Sequence, residues 1–128
     1  GDSHFRQNEY DKILWMKWHS IRYALQLPGV KSVFHIDADV AILRPFDELV
    51  NNWDYDFMFQ AEDAPARYLN GGQLWFNRTN ITFRYIEKVL EHEGGDRIDQ
   101  VYAIDSLRFF PKLRWTHLPT YRFHAQCM

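Results

Sequence analysis

The stretch Val33-Phe34-His35-Ile36-Asp37-Ala38-Asp39 decides how this chain is read. An apolar run stops abruptly on two aspartates one residue apart, the pattern of a buried strand delivering two carboxylates to its C-terminal end. Open α/β sheets take their ligands at that edge. On extended backbone, residues i and i+2 point the same way, so Asp37 and Asp39 can face one ion. Hard oxygen donors placed this closely suit Mg2+ or Mn2+, and such an ion commonly bridges a diphosphate. A bare Asp-x-Asp also occurs as a solvated turn or a helix cap. The apolar strand in front tips the reading toward function, because a core strand seldom ends in two unpaired charges without a use for them.

The rest of the composition bounds the answer. A chain of 128 residues makes one domain, 1–128, large enough for a real core. Aromatic residues make up 17%, which fits a well-packed interior or a site that stacks on rings. A net charge of −2 with no basic stripe argues against a nucleic-acid partner. No apolar run approaches the roughly 20 residues of a membrane span, and no signal-like start is visible. The opening Gly1-Asp2-Ser3-His4 reads as the interior of something longer. The lone Cys127 excludes an internal disulfide and any multi-cysteine metal site.

Around the central stretch, helices and strands alternate. From Tyr10 to Leu27 the spacing of Leu14, Trp18, Ile21 and Leu25 predicts a helix with one buried stripe, stopped by Pro28-Gly29. Phe46 to Leu49 reads as a short helical turn, and Tyr55 to Gln60 as a second strand. A polar loop holding Pro65 leads to a glycine turn at Asn70-Gly71-Gly72, then a strand over Gln73 to Phe76. Asn80 is the expected cap of a helix with the stripe Phe83, Ile86 and Leu90, ended by Gly94-Gly95. Asp96 is the expected cap of a further helix carrying Asp99 and Gln100, and Leu113 to Leu118 reads as a late strand. This alternation predicts a layered α/β domain.

Several side chains have a plain reading and a chemical one. Gly71 and Gly72 serve as turn residues, or let backbone approach a ligand with Asn70 offering its amide. Asp99 and Gln100 are solvated residues of a first helical turn, or groups aimed at a ligand from the positive end of a helix. Lys17 snorkels along the core, or brings an ammonium to a diphosphate; Arg44 is a second candidate for that task. His35 reads as a satisfied core or interface residue, while His4, His19 and His92 read as surface. His124 and His117 compete as a ligand completing a metal site begun by the aspartates.

Taken in order, these segments resemble nucleotide-diphospho-sugar transferase domains of the GT-A type, and among them the retaining enzymes. Phe34 to Val40 is similar to the family's hydrophobic-D-A-D segment, and Leu43 to Leu49 to the stretch that follows it. Tyr68-Leu69-Asn70-Gly71-Gly72 resembles the N-G-G turn that touches the donor sugar, Asp99-Gln100 the D-Q pair, and Phe123-His124-Ala125 the late H-A segment. The resemblance implies a GT-A-like, Rossmann-like mixed sheet flanked by helices, in which the first nucleotide-binding strand is missing before the first helix. It implies metal ligation by Asp37, Asp39 and His124, with Asp37 also reaching the nucleotide ribose. Asn70, Gly71 and Gly72 would line the sugar pocket, Lys17 would approach the diphosphate, and Asp99 and Gln100 would act in sugar binding or catalysis. The implied reaction transfers a sugar with retained configuration from a nucleoside diphosphate, UDP on family grounds, to a glycan or protein acceptor with Mn2+ or Mg2+.

Two other classes fit parts of the chain. A haloacid-dehalogenase-type phosphatase would use Asp37 as nucleophile, with Thr79, Lys88 and the Gly95-Asp96 pair in support, although Ala41 departs from its pattern. A non-catalytic metal- or carbohydrate-binding module is the other. Asn77-Arg78-Thr79 and Asn80-Ile81-Thr82 both match the glycosylation sequon. By resemblance, a eukaryotic member would sit in the Golgi lumen with its membrane anchor outside this chain, and a bacterial one in the cytoplasm.

Overall fold

The computed structural model describes residues 2–38, 40, 42, 45, 47–61 and 69–119, without the side chains of 2–8, 48 and 61. Asp39, Arg44, Pro65, Tyr68 and the tail holding His124 and Cys127 lie outside the described residues.

A long helix α1 (Asp2–Gln26) leads into β1 (Ser32–Ile36) and the four-residue helix α2 (Asp47–Val50). Then come β2 (Phe57–Ala61), β3 (Leu69–Asn77), α3 (Asn80–Leu90), α4 (Asp99–Ser106), a 3-10 turn at Leu107–Phe109 and β4 (Trp115–His117). The strands form one mixed sheet in the order β1-β3-β2-β4. β3 runs antiparallel to both β1 and β2, while β2 and β4 are parallel. The C-terminal ends of β1, β2 and β4 therefore share one edge of the sheet with the start of β3. Asp37 and the Asn70-Gly71-Gly72 segment are delivered there.

Period-two alternation sorts the strand residues between two apolar layers. Phe57, Phe59, Leu74 and Phe76 face one side, where Trp15, Trp18, Ile21 and Leu25 of α1 and Tyr85, Ile86 and Val89 of α3 cover them. Met58 and Trp75 face the other side with Leu49 of α2 and Leu118. Phe57 and Phe76 stack with ring centroids 4.3 Å apart. The sequence pattern thus found the right helix but started it late and missed Trp15, which is 4% exposed. Gly29, at φ +81, makes the stop after α1 that Pro28-Gly29 predicts.

Other expectations are corrected. β1 is not a buried strand: among the described residues it lies at the sheet edge and is half-buried along its length. The cap of α3 is Thr79, whose hydroxyl accepts from the Thr82 backbone N–H, with Asn80 one place inside. Asp96 does not cap α4; the cap position is Ile98, and Asp96 instead accepts from the Tyr102 hydroxyl. Asn77 is fully buried, and its amide donates to the carbonyls of Asn52 and Tyr55. The first sequon is closed in the folded chain.

Asp56 pins β2, β4 and α3 together. Its carboxylate accepts from the Arg114 backbone N–H at 2.9 Å, the Arg114 guanidinium at 3.1 Å and the Thr79 hydroxyl at 3.0 Å. Burial pushes this carboxyl up, but Arg114 and Thr79 together hold it below its usual range. Asp56→Asn is expected to cost about 2–3 kcal/mol at pH 6. A depressed folded pKa contributes stability above the unfolded value of about 4, and that contribution disappears as pH falls through the folded value. Urea unfolding at pH 6 and pH 3 checks this: the gap between wild type and variant should shrink at pH 3, and a constant gap refutes it.

Candidate functional site

Four elements converge at the shared sheet edge. β1 ends at Asp37, whose backbone N–H donates to the Gly72 carbonyl at 2.9 Å, bringing the two segments together. The Asn70-Gly71-Gly72 segment is not a turn. It belongs to β3, and neither glycine has a positive φ. Both are buried, and close approach explains them. A Cβ on Gly71 would stand 2.5 Å from Lys17 Nζ and 3.6 Å from Gln100 Cγ. One on Gly72 would stand 2.9 Å from Asn70 Oδ1 and 3.3 Å from Asp37 Oδ2. The Asn70 carboxamide oxygen accepts from the Gly72 N–H at 2.8 Å.

Asp99 is the first residue of α4 and is completely buried, not a solvated helix-start acid. Consecutive α1 residues reach its Oδ2: the Trp18 indole N–H donates at 2.8 Å and the Lys17 ammonium sits at 3.1 Å. Lys17 also donates to the Gly71 carbonyl at 3.3 Å. With a side chain only 8% exposed, Lys17 does not snorkel. Asp99 Oδ1 is buried with no partner among the described residues. A buried carboxylate oxygen without a donor is costly, and such groups gather at ligand sites.

His35 shares a face of β1 with Asp37, and its Nε2 lies 3.0 Å from Asp37 Oδ1. Burial holds the imidazole below its ordinary value, against the opposing pull of Asp37 and with Lys17 adding to the lowering. A carboxylate only accepts, so the His35 Nε2–H donates to Asp37 Oδ1, and Asp37 Oδ2 lies on the Gly72 side. The sequence reading missed this role, though the i, i+2 spacing contained it.

The structure thus brings together Lys17, His35, Asp37, Asn70, Gly71, Gly72, Asp99 and Gln100. It does not bring in the phosphatase residues: Thr79 caps α3, and Lys88 pairs with Glu91 and lies over the Phe109 ring. His117 packs edge-on against Phe59 in β4. A cavity of about 360 Å3 lined by Asp11, Lys12, Trp15, Glu93, Gly94 and Gly95 shares no residue with the cluster. Among the described residues no three His, Cys, Asp or Glu side chains stand close enough to hold a metal ion. A carboxylate is the donor type a hard cation takes, and of the residues the resemblance assigns to a metal only Asp37 is described.

A mixed sheet with polar and charged groups gathered at its strand ends makes an α/β domain, and that edge is where open α/β sheets take their ligands. The family model for nucleotide-diphospho-sugar transferases matches residues 1–127, and the chain belongs to this family. Its four-stranded mixed sheet, flanked by helices on both faces, is the Rossmann-like fold the resemblance implies. Neither the curated proteins nor the solved structures include a significant match. Membership supplies the donor class, a nucleotide sugar, and the need for an acceptor. No helix among the described residues is long and apolar enough to cross a membrane.

Proposed function

We propose that this chain transfers a sugar from a UDP-sugar to a glycan or protein acceptor, with retained configuration and with Mn2+ or Mg2+ as cofactor. The observation that carries the reading is the convergence of Asp37, Asn70, Gly71, Lys17, Asp99 and Gln100 from four elements on one sheet edge. Asp37 would hold the cation, with Asp39 and His124 as the further ligands suggested by the resemblance. When bound, the cation supplies neutralisation of charge on the departing diphosphate.

The chain's own groups have separable tasks. Lys17, anchored by Asp99, puts a fixed positive charge beside Gly71. Gly71 and Gly72 let Lys17, Gln100, Asn70 and Asp37 approach the β3 backbone closely, so that these groups would meet a donor sugar together. Gln100 stands beside Gly71 and is not a base. Asp99 Oδ2 is committed to Lys17 and Trp18, which leaves its buried Oδ1 as the carboxylate oxygen that could meet a ligand.

Calorimetric titration with UDP, with and without Mn2+, tests the donor site. Binding that requires the cation, followed by release of a sugar with unchanged anomeric configuration by NMR, is the expected result. A folded chain that binds no UDP with either cation refutes the reading.

A further inference from the structure

Gln60 is the one polar residue of an otherwise apolar strand. Phe57, Met58 and Phe59 precede it, and it is only 3% exposed. Among the described residues its carboxamide Nε2 is buried with no hydrogen-bond partner. Such a donor costs about 1–3 kcal/mol, which a methionine at this position would avoid. Something other than stability accounts for glutamine here.

The local backbone places this group against the site. The pairing of β2 with β3 passes from Phe59↔Leu74 to Gln60↔Asn70, so Gly71, Gly72 and Gln73 have no partner on β2. Gln60 then packs beside that segment, its Oε1 3.7 Å from the point a Gly72 Cβ would occupy. Asn70 Oδ1 and Asp37 Oδ2 surround the same point at 2.9 and 3.3 Å. Of the groups around this notch, Asn70 Oδ1 is committed to the Gly72 N–H and Asp37 Oδ1 to His35. Gln60 holds an uncommitted donor, and its last torsion is soft enough to turn that donor into the notch.

We propose that Gln60 is a specificity-determining residue for the donor sugar, hydrogen-bonding through its carboxamide to a sugar hydroxyl lying over Gly72. This rests on the donor-site reading above. A site that hydrogen-bonds a hydroxyl rejects sugars that lack it or present it at another angle, because the buried amide then stays unpartnered. UDP itself, without a sugar, makes no use of the group.

Gln60→Met keeps length and volume while removing the amide, so the fold should survive. Thermal melting and Mn2+-dependent titrations with UDP, UDP-glucose, UDP-galactose and UDP-xylose are compared for wild type and variant. The expected result is a melting temperature equal to or above wild type and UDP affinity within about 2-fold, with about a 10- to 100-fold loss for the preferred UDP-sugar. The ranking among the three sugars should narrow. An unchanged ranking overturns the inference, as does an equal loss for UDP and for every UDP-sugar. A wild-type chain that binds no UDP fails the donor-site reading itself, which separates the two failures.

Discussion

Lys17→Met is expected to destabilise the chain by about 3–5 kcal/mol, because it strands a carboxylate in the interior. Asp99 is completely buried, and the Trp18 indole N–H would remain as its only described donor. Neutralising that charge calls for protonation inside the core, and either route costs several kcal/mol. For a domain of this size the loss corresponds to a drop of roughly 10 °C or more in melting temperature. The double variant Lys17→Met, Asp99→Asn removes both charges and should recover at least half of the loss, since a buried pair costs desolvation that its removal returns. Thermal and urea unfolding of the two variants measure this. A single-variant loss below about 1 kcal/mol, the range of exposed pairs, would refute burial of the pair. Lys17→Arg keeps the charge, but a planar fork is a poor substitute where a compact ammonium fits between Asp99 and the Gly71 carbonyl.

This pair also marks where sequence reading ran out. The stripe Trp18, Ile21 and Leu25 was visible in helical periodicity, and Phe57-Met58-Phe59 in strand alternation, because both patterns are local. The end of β1 at Asp37 was visible because an apolar run stopping on a charge is local too. The partner of Trp18, by contrast, lies 81 residues away, and nothing about a lysine flanking an apolar stripe reveals a buried acid. Asn70-Gly71-Gly72 was located correctly but assigned the wrong conformation. Glycine carries one signal for two physical needs, positive φ and close approach, and only the neighbouring Lys17 and Asp37 side chains tell which operates. Asp56 left no local signal because its partner Arg114 lies 58 residues further along the chain. Gln60 and His35 left a trace: one is the one polar residue of an apolar strand, the other sits two residues before an aspartate. Strand alternation puts such groups on a shared face, and read that way they would have joined the site from the start.

Asp37→Asn separates function from stability most cleanly. The substitution keeps size and shape, and the backbone bond to the Gly72 carbonyl does not depend on the side chain. Asp37 is 49% exposed at its side chain, so losing its charge should change stability by no more than about 0.5 kcal/mol. Its function is of another size. A carboxylate facing a divalent cation and a diphosphate contributes several kcal/mol, so UDP binding in the presence of Mn2+ should weaken by about 100-fold or more. Binding without the cation, weak in both proteins, should hardly differ, because the lost charge acts only through the ion. His35→Gln sharpens the comparison. It retains a donor for Asp37 Oδ1 and should lose far less, since it alters only how the carboxylate is held. Melting curves and titrations on the same samples decide the matter. Unchanged Mn2+-dependent affinity in Asp37→Asn would mean that the cation is held elsewhere, and a matching fall in melting temperature would mean that Asp37 holds the fold instead of the ligand.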